Sequence, residues 1–175
     1  MRKILDYLRL ILFTSGLLIG VQVPGFIDQY GKSLQAHLLE SSLSLKAFQG
    51  DAERYFNGNL DQLIAHYQDN PDAVIRDGGA SIAAISNRNL LLTQAWTRFT
   101  TSPYSAYRHV ILQPITDIKD EVWRHYTYNI ILNPSAIIVG LTCGMTLSLL
   151  AEFISALLVR LIRQLFRPLP VAPKH

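Results

Sequence analysis

The chain has 175 residues, of which 49% are hydrophobic and 17% are charged, and its net charge at pH 7 is +3. It is too apolar for a disordered chain and too long to depend on disulfide stapling. The mean hydropathy of +0.19 is high for a soluble domain of this length and indicates two stretches that lie in lipid. Cys143 is the only cysteine, so an internal disulfide and a Cys-rich zinc site are excluded.

The first predicted element is the apolar stretch from Leu8 to Ile27, which is long enough to cross a hydrocarbon core of about 30 Å as a helix. Arg2 and Lys3 precede it, so a secretory signal peptide is the alternative interpretation. No small-residue cleavage site follows the apolar stretch, and Pro24 lies where one would be expected. The pattern favours an uncleaved transmembrane helix that follows a short N-terminus of residues 1–7.

The middle segment, residues 28–133, shows helical periodicity in its first half. Apolar residues recur at spacings of three, four and seven between residues 31 and 56, which predicts one buried helix face. Asn57-Gly58 ends this helix, and a short helix follows over residues 60–67 until Asn70-Pro71 stops it.

The second half of the middle segment is also predicted to be helical. Gly78-Gly79 is interpreted as a break, after which Ser81 caps a new helix that runs to residue 102. A further helix is expected over residues 104–112, and Pro114 starts another that leads toward the second apolar stretch. The pairing of amphipathic faces predicts an antiparallel helical hairpin or bundle.

The last predicted elements are a second transmembrane helix and a basic tail. Residues 134–159 are apolar apart from Glu152, and a run of this length is typical of a membrane span. Residues 160–175 begin as an amphipathic helix that we expect to lie along the anionic surface of the membrane. Its lipid-facing cations are Arg160, Arg163 and Arg167.

The distribution of charge predicts the orientation of both spans. The two ends, residues 1–27 and 134–175, hold seven Lys and Arg against two Asp and Glu, whereas residues 28–133 hold nine against eleven. By the positive-inside rule both termini are cytoplasmic and the middle segment is exported. The fold class predicted is therefore an all-α membrane protein with two transmembrane helices flanking an exported domain. The basic charge reflects this topology, and nucleic acid is not an expected partner.

Aromatic residues cluster where both spans meet the exported side, and amphipathic rings favour the headgroup region. We predict that they fix the depth of the two helices without a binding role. These residues are Phe26, Tyr30, Trp123, Tyr126 and Tyr128.

Each span carries a GxxxG pattern, formed by Gly16 and Gly20 in the first and by Gly140 and Gly144 in the second, with Ser148 continuing the second. Small residues at this spacing let helix backbones approach closely in lipid. An antiparallel register with Gly20 opposite Gly144 would place Gly16 opposite Ser148. The sequence alone leaves open whether the partner is the other span or a second copy of the chain.

Glu152 lies about two turns inside the predicted end of the second span, where an unpaired charge is costly. In the same register it lies at the level of Leu12, within reach of the Arg9 side chain, which favours an intramembrane ion pair. A functional role, either as a proton-relay carboxylate or in docking a charged partner helix, is one alternative. A neutral carboxylic acid directed toward the cytoplasm is the other.

No catalytic or cofactor motif occurs in the chain: we find no HExxH, GxSxG, GxGxxG or phosphate-binding loop. Asp117, Asp120 and Glu121 are interpreted as charges favourable to a helix N-terminus. We therefore expect no enzyme activity, no cofactor, no metal site, no catalytic residue and no small-molecule substrate.

The combination of a GLLxG span ending in VPGFIDQY, the stretches FQxDAERYF and LDQLIAHYQ, and a second span followed by arginines resembles a family of uncharacterised bacterial membrane proteins that carry a domain of unknown function. The resemblance covers Leu8 to Arg167. It implies a Gram-negative inner-membrane protein with a periplasmic helical domain, and it implies no activity, cofactor or catalytic residue.

These observations predict a non-enzymatic scaffold or accessory subunit of a membrane assembly. The expected partners are membrane lipids together with another membrane protein or further copies of the chain. The alternative is a small oligomeric transport or ion-conducting component with Glu152 facing its interior. A periplasmic ligand sensor is a third interpretation, and it would have to signal through a partner.

Overall fold

The computed structural model of the chain describes the backbone of residues 2–127 and 134–165 and the side chains of residues 6–127 and 134–161. These residues are helical and contain no strand, which confirms the prediction of an all-α chain for the described part. The helices are α1 (Arg2–Tyr55), α2 (Leu60–Gln68), α3 (Ala73–Thr100), α4 (Pro103–Leu112), α5 (Thr116–His125) and α6 (Pro134–Leu165).

α1 is one continuous helix of 54 residues, whereas the sequence predicted separate helices over residues 8–27 and 31–56. Pro24 lies inside it, although a proline removes one backbone donor and often kinks a helix. Ending the helix at this point would leave its last carbonyl groups without intrahelical partners beside an apolar segment. The continuation avoids that loss.

The end of α1 lies at the predicted turn. Asn57 and Gly58 have φ values of 51° and 82°, the left-handed region that glycine and asparagine tolerate best. The Gly58 N–H donates to the Ala52 carbonyl at 2.9 Å, which satisfies one of the carbonyls left free at the helix end.

The predicted break at Gly78-Gly79 is wrong. α3 begins at Ala73, where the Asp72 carboxylate caps the helix by accepting a hydrogen bond from the Val74 N–H at 2.8 Å. Both glycines lie inside the helix, and Ser81, the predicted cap, donates its hydroxyl to the Asp77 carbonyl one turn earlier.

Gly79 serves a close helix contact instead of a turn. A Cβ at this position would lie 2.8 Å from the Tyr67 Cβ and 3.0 Å from the Gln68 backbone nitrogen of α2. Since only glycine leaves room for α2 at this distance, the residue type is explained by packing.

α4 begins with a reciprocal cap. The Ser102 hydroxyl accepts from the Ser105 N–H, the Ser105 hydroxyl accepts from the Ser102 N–H, and Pro103 occupies the first turn. α5 begins at Thr116 and ends at His125. The predicted continuation from α5 into the second span falls on residues 128–133, outside the described residues.

The chain divides into two compact units, the middle unit of residues 26–126 and the terminal unit of residues 1–25 with 127–175. The predicted middle segment was residues 28–133. The largest fully buried side chains are Tyr30, Leu34, Leu92 and Ile118, so α1, α3 and α5 supply the core of the middle unit. α1 and α3 are also joined by a hydrogen bond from the Asn89 amide to the Ser42 hydroxyl at 2.9 Å.

Among the described residues, two helices are long and apolar enough to cross a membrane. They cover Asp6–Tyr55 and Pro134–Leu161, with mean hydropathies of 1.9 and 2.0 in their most apolar windows. Only 28% of the first window and 11% of the second are buried within the chain.

Candidate functional site

Four glycines form a direct contact between α1 and α6 in the terminal unit. A Cβ built on Gly20 would lie 2.7 Å from the Gly140 Cα, and one built on Gly16 would lie 3.0 Å from the Gly144 Cα. Side-chain carbons do not approach a backbone this closely, so the two helices touch through bare backbone. Contacts of this kind stabilise helix pairs in lipid, where the hydrophobic effect does not drive helices together.

The register of this contact differs from the predicted one by one helical turn. The prediction placed Gly20 opposite Gly144 and Gly16 opposite Ser148, whereas Gly20 lies against Gly140 and Gly16 against Gly144. The observed register sets glycine against glycine at both levels, which allows a closer approach than a glycine against a serine. Ser148 is half-buried one turn further along α6.

Arg9 of α1 and Glu152 of α6 form an ion pair in the same unit. The contact joins Arg9 Nη2 to Glu152 Oε2, and the two side chains remain 42% and 58% exposed. Since Glu152 lies eight residues beyond Gly144, the pair is about two turns from the glycine contact.

The predicted interfacial aromatics occupy two different environments. The Phe26 ring makes edge contacts with Trp123 and Tyr126, with centroid distances of 5.8 and 5.5 Å, and Trp123 is largely exposed. For Tyr30 the predicted interfacial position is wrong, because the side chain is fully buried and its ring contacts protein and not headgroups. Tyr128 lies outside the described residues.

Tyr30 holds a buried histidine through its hydroxyl. The Ile115 backbone N–H donates to the Tyr30 oxygen at 2.9 Å, and the same oxygen lies 3.1 Å from His109 Nε2. The rings of Tyr30 and His109 also contact Phe99, with centroids 6.0 and 6.2 Å away. These contacts fix the His109 ring between α1, α3 and α4.

The hydrogen bonds determine which nitrogen of His109 carries the proton. The Tyr30 oxygen accepts from the Ile115 N–H, and its own proton is donated to His109 Nε2, which leaves only the His109 Nδ1 proton without a partner. The reverse arrangement would leave both the phenol proton and the Nδ1 lone pair without partners. His109 is therefore the tautomer protonated on Nδ1, an atom that is buried and has no hydrogen-bond partner.

Burial also sets the charge of this group. It lowers the pKa of His109, with a further lowering from the nearby Arg98 charge, so the imidazole is neutral near pH 7. Burial raises the pKa of Tyr30 above its ordinary value of 10.0, although the Ile115 hydrogen bond opposes this. Both side chains are therefore uncharged in the folded middle unit.

A second polar cluster connects α1, α3 and α5. Glu121 accepts hydrogen bonds from the Ser33 hydroxyl at 3.0 Å and from His37 Nε2 at 2.8 Å, and the His37 bond is the main reason that the pKa of Glu121 is lowered. Asp117 forms an ion pair with Arg88 of α3. The sequence suggested only that these carboxylates favour a helix N-terminus, and it contained no signal for their partners, which lie far away in the chain.

Within residues 6–127 and 134–161 no group of three or more His, Cys, Asp or Glu side chains could hold a metal ion. His125 donates to the Glu121 carbonyl, and the His66 ring contacts Phe56. Cys143 is half-buried, and its Cβ would lie 2.9 Å from a Cβ on Gly20. These residues are used in packing and capping.

The basic tail is described only at its beginning. Arg160 is exposed on α6. The side chains of Arg163 and Arg167 lie outside the described residues, so their place at a lipid surface stays a prediction.

One family model matches the chain over residues 4–164, and its description is "Protein of unknown function (DUF2937)". No curated protein matches the chain. No solved structure matches it either. The match covers both apolar helices and the whole middle unit.

Proposed function

We propose that the chain, which belongs to the DUF2937 family of proteins of unknown function, is a scaffold or accessory subunit of an assembly in a bacterial inner membrane. α6 and the first half of α1 are its two spans, both termini are cytoplasmic, and the middle unit is an exported antiparallel helical bundle. Its role is to hold this unit at the membrane for a protein partner, without catalysis.

The exposure of the two apolar helices supports the membrane location. A core helix of a soluble protein buries most of its apolar side chains, because exposing them to water costs about 25 cal/mol per Å². The most apolar window of α6 is only 11% buried. Lipid is the solvent in which such a surface is stable.

The contacts of α1 support an uncleaved span over a signal peptide. Removal of the first 25 or so residues would expose the backbone of Gly140 and Gly144 on α6. It would also leave Glu152 without Arg9. An uncleaved first span keeps both contacts.

One observation supports the scaffold role most directly. The glycine faces and the charged side chains of the two proposed spans contact each other within one chain. The glycines of α1 contact the glycines of α6, and the Glu152 carboxylate is paired with Arg9. A pore built through the glycine faces and lined by Glu152 would need both features free. A closed helix pair instead anchors the middle unit and provides no conduit.

The experiment is purification of the tagged full chain in a mild detergent, followed by native mass measurement and identification of copurifying proteins. A two-span protein of unrelated sequence with the same tag is the control for adventitious capture. We expect one copy of this 19.7 kDa chain in complex with a different membrane protein. A pure monomer would overturn the scaffold role, and a closed homo-oligomer would favour the transport alternative.

A further inference from the structure

We propose that a cavity between the C-terminal part of α3 and α4 binds a phosphate-type anion, supplied by a phospholipid headgroup or by a soluble phosphate compound. The cavity has a volume of about 380 Å³ and lies entirely within the middle unit. Its lining residues are Arg98, Ser105, Arg108, His109, Leu112 and Gln113.

The lining carries positive charge without compensation. Arg98 and Arg108 both contribute to it, and no carboxylate does so among the described residues. Within the described part of the chain neither arginine forms an ion pair, and Arg98 donates only its Nε–H, to the Gln94 carbonyl at 3.2 Å. The planar guanidinium fork matches two oxygens of a phosphate or carboxylate.

His109 provides the second, independent indication of a ligand. It lines the cavity, is 5% exposed, and has an Nδ1 atom with no partner. Because Tyr30 fixes the proton on Nδ1, this atom is a donor that needs an acceptor, and a buried donor without one is costly. Since His109 lines the cavity, an anion oxygen that reaches this edge of its ring would satisfy it.

The remaining polar groups leave the cavity rich in donors. The Ser105 hydroxyl is already used, since it donates to the backbone at Phe99 and Ser102 and accepts from the Ser102 N–H. The groups left to meet a ligand are the two guanidiniums, the His109 N–H and the Gln113 amide. A set of this kind selects an anion over a neutral or cationic ligand.

The position of Tyr30 explains why a lipid headgroup is one of the two sources. Although the Tyr30 ring is buried in protein, Tyr30 follows the predicted end of the first span by only three residues, and residues directly beyond a span are expected near the level of the headgroups. A soluble phosphate compound presents the same oxygens to the same donors, so the two sources are separated by experiment.

The test uses the full chain in a maltoside detergent, which contains no phosphate, with ¹⁵N-labelled histidines and a tag without histidine. The ring signals of His109 are assigned by comparison with the His109→Gln variant. Inorganic phosphate is titrated against chloride at equal ionic strength, and short-chain phosphatidylglycerol is titrated separately. We expect the His109 Nδ1 signal to shift saturably with at least one of these probes.

The arginine variants decide whether the shift reports the cavity. Arg98→Gln and Arg108→Gln should each weaken the apparent affinity roughly tenfold or more, since each removes a charge-assisted contact. Arg124→Gln, which changes an exposed arginine of α5 outside the cavity, should bind as the original chain does. Thermal unfolding without probe checks that all three variants are folded.

Two results would overturn the proposal. One is a His109 signal that neither probe moves, and the other is an equal response of Arg98→Gln, Arg108→Gln and Arg124→Gln. Saturation by phosphatidylglycerol at concentrations where inorganic phosphate has no effect assigns the site to a headgroup. The opposite order assigns it to a soluble phosphate compound.

Discussion

Arg9 and Tyr30 lie on the same helix, and their polar groups are stabilised in apolar surroundings in two different ways. Arg9 is paired with the opposite charge of Glu152. Tyr30 stays neutral and uses its hydroxyl twice, toward the Ile115 N–H and toward His109. The Arg9–Glu152 pair depends on electrostatics, whereas the Tyr30 contacts depend on hydrogen-bond geometry. The two are therefore sensitive to different substitutions.

Reversing the charges of Arg9 and Glu152 tests whether this ion pair stabilises the fold. Arg9→Glu and Glu152→Arg should each lower the stability of the helix pair by about 1–3 kcal/mol, because each leaves two like charges near lipid. The double exchange should recover most of the loss. Thermal unfolding of the four proteins in detergent measures this, and a double exchange no more stable than the single changes would show that the pair does not stabilise the fold.

The lowered pKa of His109 predicts a loss of stability in acid. Because the folded pKa lies below the unfolded value of about 6.5, the contribution of neutral His109 is complete above pH 6.5 and is lost as the pH falls through the folded pKa. His109→Gln keeps an acceptor for Tyr30 but cannot be protonated.

The measurement is the free energy of unfolding from pH 7.5 to pH 5. The original chain should lose stability more steeply than His109→Gln, and His66→Gln, which makes the same substitution at an exposed histidine, is the matched control. Equal slopes for the original chain and His109→Gln would contradict the prediction. The lowered pKa of Glu121 causes a loss of stability only below the ordinary value of 4.5, outside this pH range.

Within the helices, glycine either ends a helix or allows a close contact with a neighbouring helix, and the two roles look alike in a sequence. Asn57-Gly58 ends α1 as predicted, whereas Gly31 and Gly79 lie inside helices and face a neighbour. Periodicity and turn signals were sufficient to predict a short α2 and the end of α1. They were not sufficient to predict that Gly79 contacts α2, because that depends on which helix lies opposite.

The adjacent glycines of α3 provide a matched pair of variants. Gly78→Ala should be neutral or stabilising by up to about 1 kcal/mol, since alanine favours the helix and its Cβ would lie 3.8 Å from Tyr67 Cδ1. Gly79→Ala should be destabilising, because its Cβ would lie 2.8 Å from Tyr67 Cβ. Chemical denaturation gives both values, and similar effects of the two variants would indicate that α2 does not contact Gly79.

The glycine contact of the two spans gives a second comparison. Gly20→Ala should destabilise the helix pair by about 1–3 kcal/mol, because its Cβ must push α6 away. Gly50→Ala, on the same helix, meets only the Arg54 Nη2 atom at 3.9 Å and should not destabilise. Thermal unfolding in detergent measures both, and a Gly20→Ala variant as stable as Gly50→Ala would contradict the close approach of α1 and α6.

At the scale of the whole molecule, the sequence predicted the helical class and the two apolar helices, because both follow from local composition and periodicity. The predicted register of α1 against α6 was one helical turn from the observed register, since a glycine pattern that repeats every four residues is compatible with more than one alignment. The partners of Glu121 and His109 were missed because they come from helices distant in sequence. The proposed anion cavity is lined by residues 98–113, which are close in sequence; it was missed because periodicity does not show which side chains of α3 and α4 enclose a space between them.

In the proposed topology two spans hold an exported unit, and both termini lie in the cytoplasm. Labelling of single cysteines in intact cells tests this arrangement. In a Cys143→Ala background, Asp61→Cys reports the middle unit and Lys174→Cys reports the C-terminus. A thiol reagent that does not cross the inner membrane should label Asp61→Cys in intact cells and Lys174→Cys only after lysis. Labelling of Lys174→Cys in intact cells, with Asp61→Cys protected until lysis, would contradict the proposed topology.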